Sequence, residues 1–277
     1  MSRTTPAVIA VAPNGARRGP ADHAALPVTA EAIAAEARRC RDAGAAMLHL
    51  HVRDAEGRHS LDPDLYRAAV AAVRAAVGDD LLIQVTTEAV GRYGPGEMMA
   101  SVRSVAPEAV SIALRELLPA EGGDESAAAA FLDDLRAAGT RVQHIVYAPA
   151  ELERLQDLRA RGVIPGGVLE VLFVLGAYAG RPADPADLLP FLAARRDPVT
   201  VRWSVCAFGP AEAACAAAAL ALGGHARVGF ENNLVLPDGR PAPDNAALVA
   251  AVAALARGMG RPLADGPAAR EIMAVAA

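Results

Sequence analysis

The chain alternates between two kinds of apolar pattern. Short runs rich in branched residues predict buried strands, and each is followed by a longer Ala-rich run with the period of an amphipathic helix. The predicted strands are 6–12, 45–52, 81–86, 109–114, 141–147, 168–174, 199–205 and 226–230. The predicted helices are roughly 30–43, 63–77, 96–104, 125–138, 150–161, 184–195, 210–222 and 244–258. Strands that alternate with helices indicate βαβ units and a parallel sheet.

Eight such units in a chain of 277 residues predict a (β/α)8 TIM barrel. We expect a single catalytic domain over residues 1–277, with a short extra helix at about 267–275 packed over the outside of the barrel. A doubly wound sheet would normally carry a G-x-G-x-x-G turn after its first strand. The chain has "VAPNGARRGPADHAALPVT" at that place, which lacks the motif, so the barrel is favoured.

Polar residues gather where the predicted strands end. Active sites of (β/α)8 barrels lie at the carboxyl ends of the strands, so these residues predict where a site would be. They are Asn14, His49, His51, Arg53, Thr86, Thr87, Glu88, Arg115, Glu116, Tyr147, Glu231 and Asn232. The members that we expect to bind substrate are Thr86, Thr87, Asn14, Tyr147 and Arg115.

The stretch "MLHLHVR" places His49 and His51 on one face of a strand, because successive side chains alternate between faces. Leu48 and Leu50 suit the helix layer, so both imidazoles should point into the barrel. In "RVGFENN" the same alternation turns Glu231 inward. Barrel closure puts the last strand two strands from the second, about 9.5 Å away, a gap that these side chains can span. The three residues therefore predict a metal site; the alternative is a pair of core histidines.

Composition and charge exclude several classes of function. The net charge is −5 without a basic patch, which argues against a nucleic-acid surface. No run reaches the roughly 18 apolar residues of a membrane helix, and the first apolar run is too short for a signal peptide. Three cysteines without Cys-x-x-Cys spacing indicate a reducing compartment. We therefore expect a cytoplasmic protein that acts on a small molecule.

Two long motifs, "GAAMLHLHVRDAEGRHSLDPDLYR" and "RVGFENNLVLPDGRPAPDNAALV", resemble the β-keto acid cleavage enzymes, the family that includes the 3-keto-5-aminohexanoate cleavage enzyme. The resemblance runs from about residue 6 to residue 273 and implies a zinc-dependent TIM barrel, commonly a homotetramer. The implied reaction is a Claisen-type exchange: a β-keto acid and acetyl-CoA give acetoacetate and a new acyl-CoA. By motif, the zinc ligands fall on His49, His51 and Glu231, and the catalytic arginine falls on Arg227.

Three places depart from the family pattern. The family has a catalytic aspartate after the zinc glutamate, but here the residue is Asn232, whose amide cannot accept a proton at neutral pH. The loop after the third strand, "TTEAVGRYGP", carries Glu88 instead of a Gly-rich segment, and the fourth strand ends in "ALRELLP", with Arg115 and Glu116. We expect Glu88 or Glu116 to replace the aspartate or to bind a cationic substrate tail. Alternatively, Arg115 and Glu116 are solvated rim residues and Asn232 only holds Arg227 in place.

Other functions stay open at this point. A metal-dependent hydrolase of the amidohydrolase kind is also a barrel with a His-x-His pair, but it carries that pair on strand 1 and further histidines on strands 5 and 6. Here the pair is on strand 2, and the sixth predicted strand has no histidine. A non-catalytic protein that kept the metal site is motivated by Asn232 alone. A structural ion pair with Glu170 is the alternative role for Arg227.

Overall fold

The computed structural model describes residues 5–177, 180–197 and 199–273. In these ranges the strands are β1 (Ile9–Val11), β2 (Met47–Leu50), β3 (Val52–Arg53), β4 (His59–Ser60), β5 (Leu82–Thr86), β6 (Ala109–Ala113), β7 (Arg141–Val146), β8 (Leu169–Leu175), β9 (Val201–Ala207) and β10 (His225–Val228). The helices are α1 (Ala30–Ala43), α2 (Pro63–Val77), α3 (Pro95–Val105), α4 (Leu114–Leu117), α5 (Glu125–Ala137), α6 (Pro149–Ala160), α7 (Leu188–Ala193), α8 (Glu212–Ala221), α9 (Asn245–Gly258) and α10 (Gly266–Ile272). A 3₁₀ turn at Pro185–Asp187 precedes α7. None of the helices in these ranges is both long and apolar enough to cross a membrane.

Eight of the described strands close into a parallel barrel in the order β1-β10-β9-β8-β7-β6-β5-β2. The strand β1 lies between β2 and β10, because its Ala10 pairs with Arg227 of β10 on one side and with Met47 of β2 on the other. The carboxyl ends of β2 and β10 are therefore two strands apart, as the sequence predicted. This topology, with helices between the strands, confirms the predicted (β/α)8 barrel.

Local capping signals determine where the helices begin and end. The Thr29 hydroxyl accepts a hydrogen bond from the Ala32 N–H at the start of α1, and Gly44 ends the helix with a φ of 115°. Asp62 caps α2, and Pro63 occupies its first turn. The backbone N–H groups of a first turn have no partner within the helix, so the N–H that proline lacks costs no hydrogen bond there. The predicted bounds of both helices are confirmed.

An apolar cluster lies at the amino-terminal end of the barrel. The first residues of several strands form a cluster there with α10 and the segment before it. The cluster contains Val8, Ala10, Ala46, Met47, Leu82, Ala109, Ala264, Ala269 and Met273. The helix α10 therefore closes this end of the barrel, whereas the sequence indicated only a position outside it. Residues 274 and 275 of that predicted helix lie outside the described residues.

The second predicted strand ends earlier than its apolar pattern indicates. Its ladder stops at Leu50, and after His51 the chain forms a short antiparallel hairpin of β3 and β4. Asp54 closes the turn of this hairpin: its N–H donates to the Arg58 carbonyl, and its carboxylate accepts from the Arg58 N–H. Because β3 and β4 have only two residues each, they are too short to show a periodic pattern in the sequence.

The last predicted strand also ends early. The strand β10 stops at Val228 because Gly229 adopts a φ of 139° and lies against β1. A Cβ at this glycine would meet the Ala12 carbonyl oxygen at 2.4 Å. The residues after it form a turn, in which the Asn232 N–H donates to the Gly229 carbonyl. Strand alternation was therefore the wrong reason for expecting Glu231 at the site, although the turn brings it there.

Candidate active site

A cavity of about 310 Å³ opens at the carboxyl ends of the barrel strands. Most of the residues that the sequence predicted for the site line it, namely His49, Thr86, Thr87, Glu88, Arg115, Glu116, Tyr147, Arg227 and Glu231. Three more, Asn14, His51 and Asn232, are fully buried. His51 and Asn232 contact members of the first group, and Asn14 donates to the His51 carbonyl, so the predicted residues lie together.

Two histidines and a glutamate converge on one point. The Nε2 atoms of His49 and His51 are 3.1 Å apart, and Glu231 Oε2 lies 3.5 Å from the first and 3.3 Å from the second. All three side chains are buried, and their ligand atoms lie within 4.8 Å of one another. Glu231 Oε2 accepts no hydrogen bond from the described residues. The group could therefore hold a metal ion.

The protonation states at this group suit a cation. Burial lowers the pKa of His49 to about 3 and that of His51 to about 4, so both imidazoles are neutral near pH 7. Burial is the largest single influence on Glu231 and opposes its ionisation, but the Arg227 guanidinium together with His49 and His51 outweighs it and holds the pKa of that carboxyl well below its usual range. Two neutral imidazoles and one carboxylate are a common ligand set for a divalent ion.

The turn that carries Glu231 is held from three sides. The Glu212 carboxylate accepts from the Gly229 N–H, and the Asn245 side chain accepts from the Phe230 N–H. On the third side lies Gly15, whose Cα leaves room for the glutamate: a Cβ there would lie 2.5 Å from Glu231 Cγ. The position of the carboxylate is therefore fixed by backbone packing as well as by its own contacts.

Arg227 pairs with the glutamate of the candidate metal group. Its Nη2 atom donates to Glu231 Oε1 at 2.8 Å and to Asn232 Oδ1 at 3.2 Å. Glu170, the alternative partner that the sequence left open, forms its ion pair with Arg202. Asn232 thus holds the Arg227 guanidinium in place. This role is one of the alternatives that the sequence left open for the amide.

The two extra carboxylates differ in their surroundings. Glu88 lies 4.0 Å from His51 Nδ1 and 3.7 Å from Arg17 Nε. Burial, together with the nearby Glu231, raises the pKa of Glu88 to about 7. Glu116 Oε2 accepts a hydrogen bond from the Ala89 N–H, and burial raises its pKa as well. Both carboxyls are therefore easier to protonate than free glutamate.

The two threonines of the third-strand loop use their hydroxyls differently. Thr87 Oγ1 donates to the Ser111 carbonyl at 3.1 Å, so its proton is engaged. Thr86 Oγ1 accepts from the Glu88 N–H at 3.1 Å, and its own proton stays available to the cavity. Thr86 is thus the better donor for a bound carboxylate.

The other residues that were predicted to bind substrate lie at different depths relative to the cavity. Arg115 lies flat over the Tyr147 ring, with its Cζ 3.4 Å from the ring centroid, and both residues line the cavity. Asn14 lies deeper and donates to the carbonyls of Pro27 and His51. Its Oδ1 accepts no hydrogen bond from the described residues. Asn14 therefore holds the backbone at His51, and it is not among the residues that line the cavity.

Sequence reasoning left three buried polar residues out of the predicted site. Gln84 accepts from His49 Nδ1 at 2.9 Å, and its face parity with Thr86 was a usable signal. Ser111 lines the cavity, and its hydroxyl has no hydrogen-bond partner among the described residues; it interrupts the apolar run "AVSIAL". His59 packs against His51 of the candidate metal group because the hairpin of β3 and β4 places it there, and strands of two residues leave no periodic pattern in a sequence.

Comparisons with known proteins agree with this site. The model of the beta-keto acid cleavage enzyme family matches residues 6–275. The 3-keto-5-aminohexanoate cleavage enzyme of Acetoanaerobium sticklandii is 30% identical over 256 residues, covering 90% of this chain and 91% of that protein. The 3-oxoadipate:acetyl-CoA acetyltransferase of Cupriavidus necator is 29% identical over 275 residues, covering 98% and 95%. A solved binary complex of ObcA with oxaloacetate has the same fold, with a TM-score of 0.72 at 22% identity over 90% of this chain and 67% of that one.

The barrel, the buried His-His-Glu group and these matches define the class of the protein: it is an acyltransferase with a (β/α)8 barrel fold. More particularly, the chain belongs to the beta-keto acid cleavage enzyme family. The resemblance seen in the two sequence motifs is thereby confirmed.

Proposed function

We propose that this protein is a zinc-dependent β-keto acid:acetyl-CoA acyltransferase, which converts a β-keto acid and acetyl-CoA into acetoacetate and a new acyl-CoA. The observation that carries the proposal is the convergence of His49, His51 and Glu231 in the cavity at the carboxyl end of the barrel. The name of the Cupriavidus necator relative supports acetyl-CoA as the second substrate.

Zinc suits the ligand set better than a hard cation does. Catalytic zinc sites use about three protein ligands drawn from imidazole nitrogens, carboxylates and thiolates, and they keep one position open for water or substrate. The two Nε2 atoms and Glu231 Oε2 supply such a set, and the cavity supplies the open side. Zinc bound there would polarise the ketone of a β-keto acid and stabilise the negative charge that develops on its oxygen.

The substrate carboxylate has two donors in the cavity. Arg227, held by Glu231 and Asn232, presents a fixed guanidinium that suits a carboxylate or a developing oxyanion. Thr86 offers its hydroxyl proton. These groups would orient the keto acid so that its ketone faces the metal ligands.

Proton transfer needs a carboxylate other than the metal ligand, because Asn232 cannot accept a proton. Glu88 is the better placed of the two candidates: it lies 4.0 Å from His51 Nδ1, whereas Glu116 has one oxygen occupied by the Ala89 N–H. We assign the acid–base role to Glu88 and a supporting role at the rim to Glu116.

The tail of the keto acid meets charges of both signs. Arg17 lies against Glu88, and Arg115 stacks on Tyr147 beside Glu116. The arginines offset the two carboxylates that would attract a cationic tail. Tail preference therefore has to be measured with neutral, anionic and cationic substrates.

The proposal is tested by acetoacetate formation from acetyl-CoA with a panel of β-keto acids that carry such tails. We expect turnover with at least one of them, and a preference for one tail charge. A zinc-loaded protein that turns over none of the panel would contradict the proposal, and the hydrolase and the non-catalytic binding protein would replace it. By family resemblance we also propose a homotetramer in the cytoplasm, which sedimentation and fractionation would check.

A further inference from the structure

One buried histidine outside the candidate metal group points at one of its members. His51 directs Nε2 toward His49 and Glu231, and on the opposite side of the ring its Nδ1 faces His59 Nδ1 at 3.5 Å. The two rings are tilted by 56° with their centroids 5.1 Å apart. His59 is only 4% exposed, so water does not compete for this contact.

The backbone determines the direction of this contact. His59 Nε2 lies 2.9 Å from the Glu88 carbonyl oxygen, which can only accept a hydrogen bond. A neutral His59 must therefore carry its proton on Nε2, which leaves a lone pair on Nδ1. Because that lone pair faces His51 Nδ1, the proton between the rings belongs to His51. His51 Nε2 is then left with a lone pair that faces His49 and Glu231.

We infer that His59 is a positioning residue for the metal site, which fixes the tautomer and ring orientation of His51 by accepting its Nδ1 proton. This inference rests on the proposed function only in that a metal occupies the His-His-Glu group. Gln84 plays the corresponding part for His49, whose Nδ1 it contacts at 2.9 Å. Such outer partners of ligating histidines typically change metal affinity by about 10–100-fold when removed.

The hairpin of β3 and β4 holds His59 in this position. His59 pairs with Arg53 across the hairpin, and Arg92 donates to its carbonyl at 3.2 Å. Arg53 in turn donates to the carbonyls of Gly15 and Arg18 in the first loop. The short hairpin is thus a support for the site, built on the residues that follow the His-x-His pair.

The test is the affinity of the purified metal-free protein for Zn²⁺, measured by competition with a chromogenic chelator, in the wild type and four variants, one of which is Glu88→Gln. His59→Phe keeps a ring but removes the acceptor. His59→Asn restores an oxygen acceptor near the Nδ1 position. His144→Phe is the matched control, because His144 is buried on β7 and lines a different cavity with Thr140 and Glu170.

We expect His59→Phe to weaken Zn²⁺ binding about 10–100-fold, His59→Asn to recover most of the affinity, and His144→Phe to match the wild type. In metal-free protein, ¹⁵N shifts should show the His51 proton on Nδ1 in the wild type and a mixture of tautomers in His59→Phe. A structural role alone would not move that tautomer ratio. Thermal unfolding of each variant would confirm that it is folded.

Three outcomes would overturn the inference. Affinity of His59→Phe within about twofold of the wild type would remove the role of His59 and leave the proposed function untouched. A large loss in Glu88→Gln with no loss in His59→Phe would make the Glu88 carboxylate, 4.0 Å from His51 Nδ1, the acceptor instead. If the wild type itself binds no Zn²⁺, the inference and the metal-dependent function fail together.

Discussion

At the scale of single residues, the amide at position 232 separates two tasks that one aspartate would combine. Asn232 Oδ1 accepts from Arg227 Nη2 and so keeps the guanidinium in place, but it cannot take a proton. Under the proposed function, proton transfer then falls to Glu88 in the loop after β5. The raised pKa of Glu88, about 7, lets that carboxyl exchange a proton near neutral pH.

Replacing Glu88 should separate catalysis from metal binding. We expect Glu88→Gln to lower kcat for acetoacetate formation by about 100-fold or more, since removal of a general acid–base group typically costs 10²–10⁴. Zinc content should stay at the wild-type level. Glu116→Gln is the matched control, with an expected loss of about tenfold or less, because Glu116 already has one oxygen on the Ala89 N–H. The reverse order of the two losses would move the acid–base role to Glu116.

At the scale of elements, the site depends on loops that pack against each other beyond the carboxyl ends of the strands. The first loop touches the turn after β10, because Gly15 lies directly against Glu231. It also touches the hairpin, through the hydrogen bonds that Arg53 donates. A glycine is needed at position 15 for two reasons: its φ is 60°, and no side chain fits beside the glutamate.

A side chain at position 15 should therefore disturb the metal ligand. We expect Gly15→Ala to weaken Zn²⁺ binding by on the order of tenfold or more, because its Cβ would push Glu231 away. Gly162→Ala is the matched control: that glycine has a φ of 78°, and no described atom lies within 4 Å of the added Cβ. Equal affinity in the two variants, measured by chelator competition, would show that Glu231 tolerates the contact.

Sequence periodicity predicted the elements that have a period and missed those that do not. The long runs gave the bounds of α1 and α2, and alternation turned His49 inward as the structure has it. The hairpin has two-residue strands, so His59 could not be placed. The end of β10 depends on the contact between Gly229 and Ala12, which are distant in sequence.

At the scale of the whole molecule, the barrel has its cavity at one end and an apolar cluster at the other. The amino-terminal end carries an apolar cluster closed by α10, beside which Glu170 pairs with Arg202, while the carboxyl end holds the cavity and the His-His-Glu group. The sequence predicted this division because polar residues follow the strands. It predicted that His49, His51 and Glu231 come together, but not the contacts of His59 with His51 or of Gly15 with Glu231, which join different loops.

The central claim is that the His49, His51 and Glu231 group holds the metal on which β-keto acid cleavage depends. The most direct measurement is acetoacetate formation by metal-free protein as Zn²⁺ is added back, with the best substrate of the panel. We expect activity to rise with bound zinc and to level off at about one ion per chain, the number that one three-ligand site can hold. Full activity of the metal-free protein, or activity that Glu231→Gln leaves unchanged, would contradict the claim.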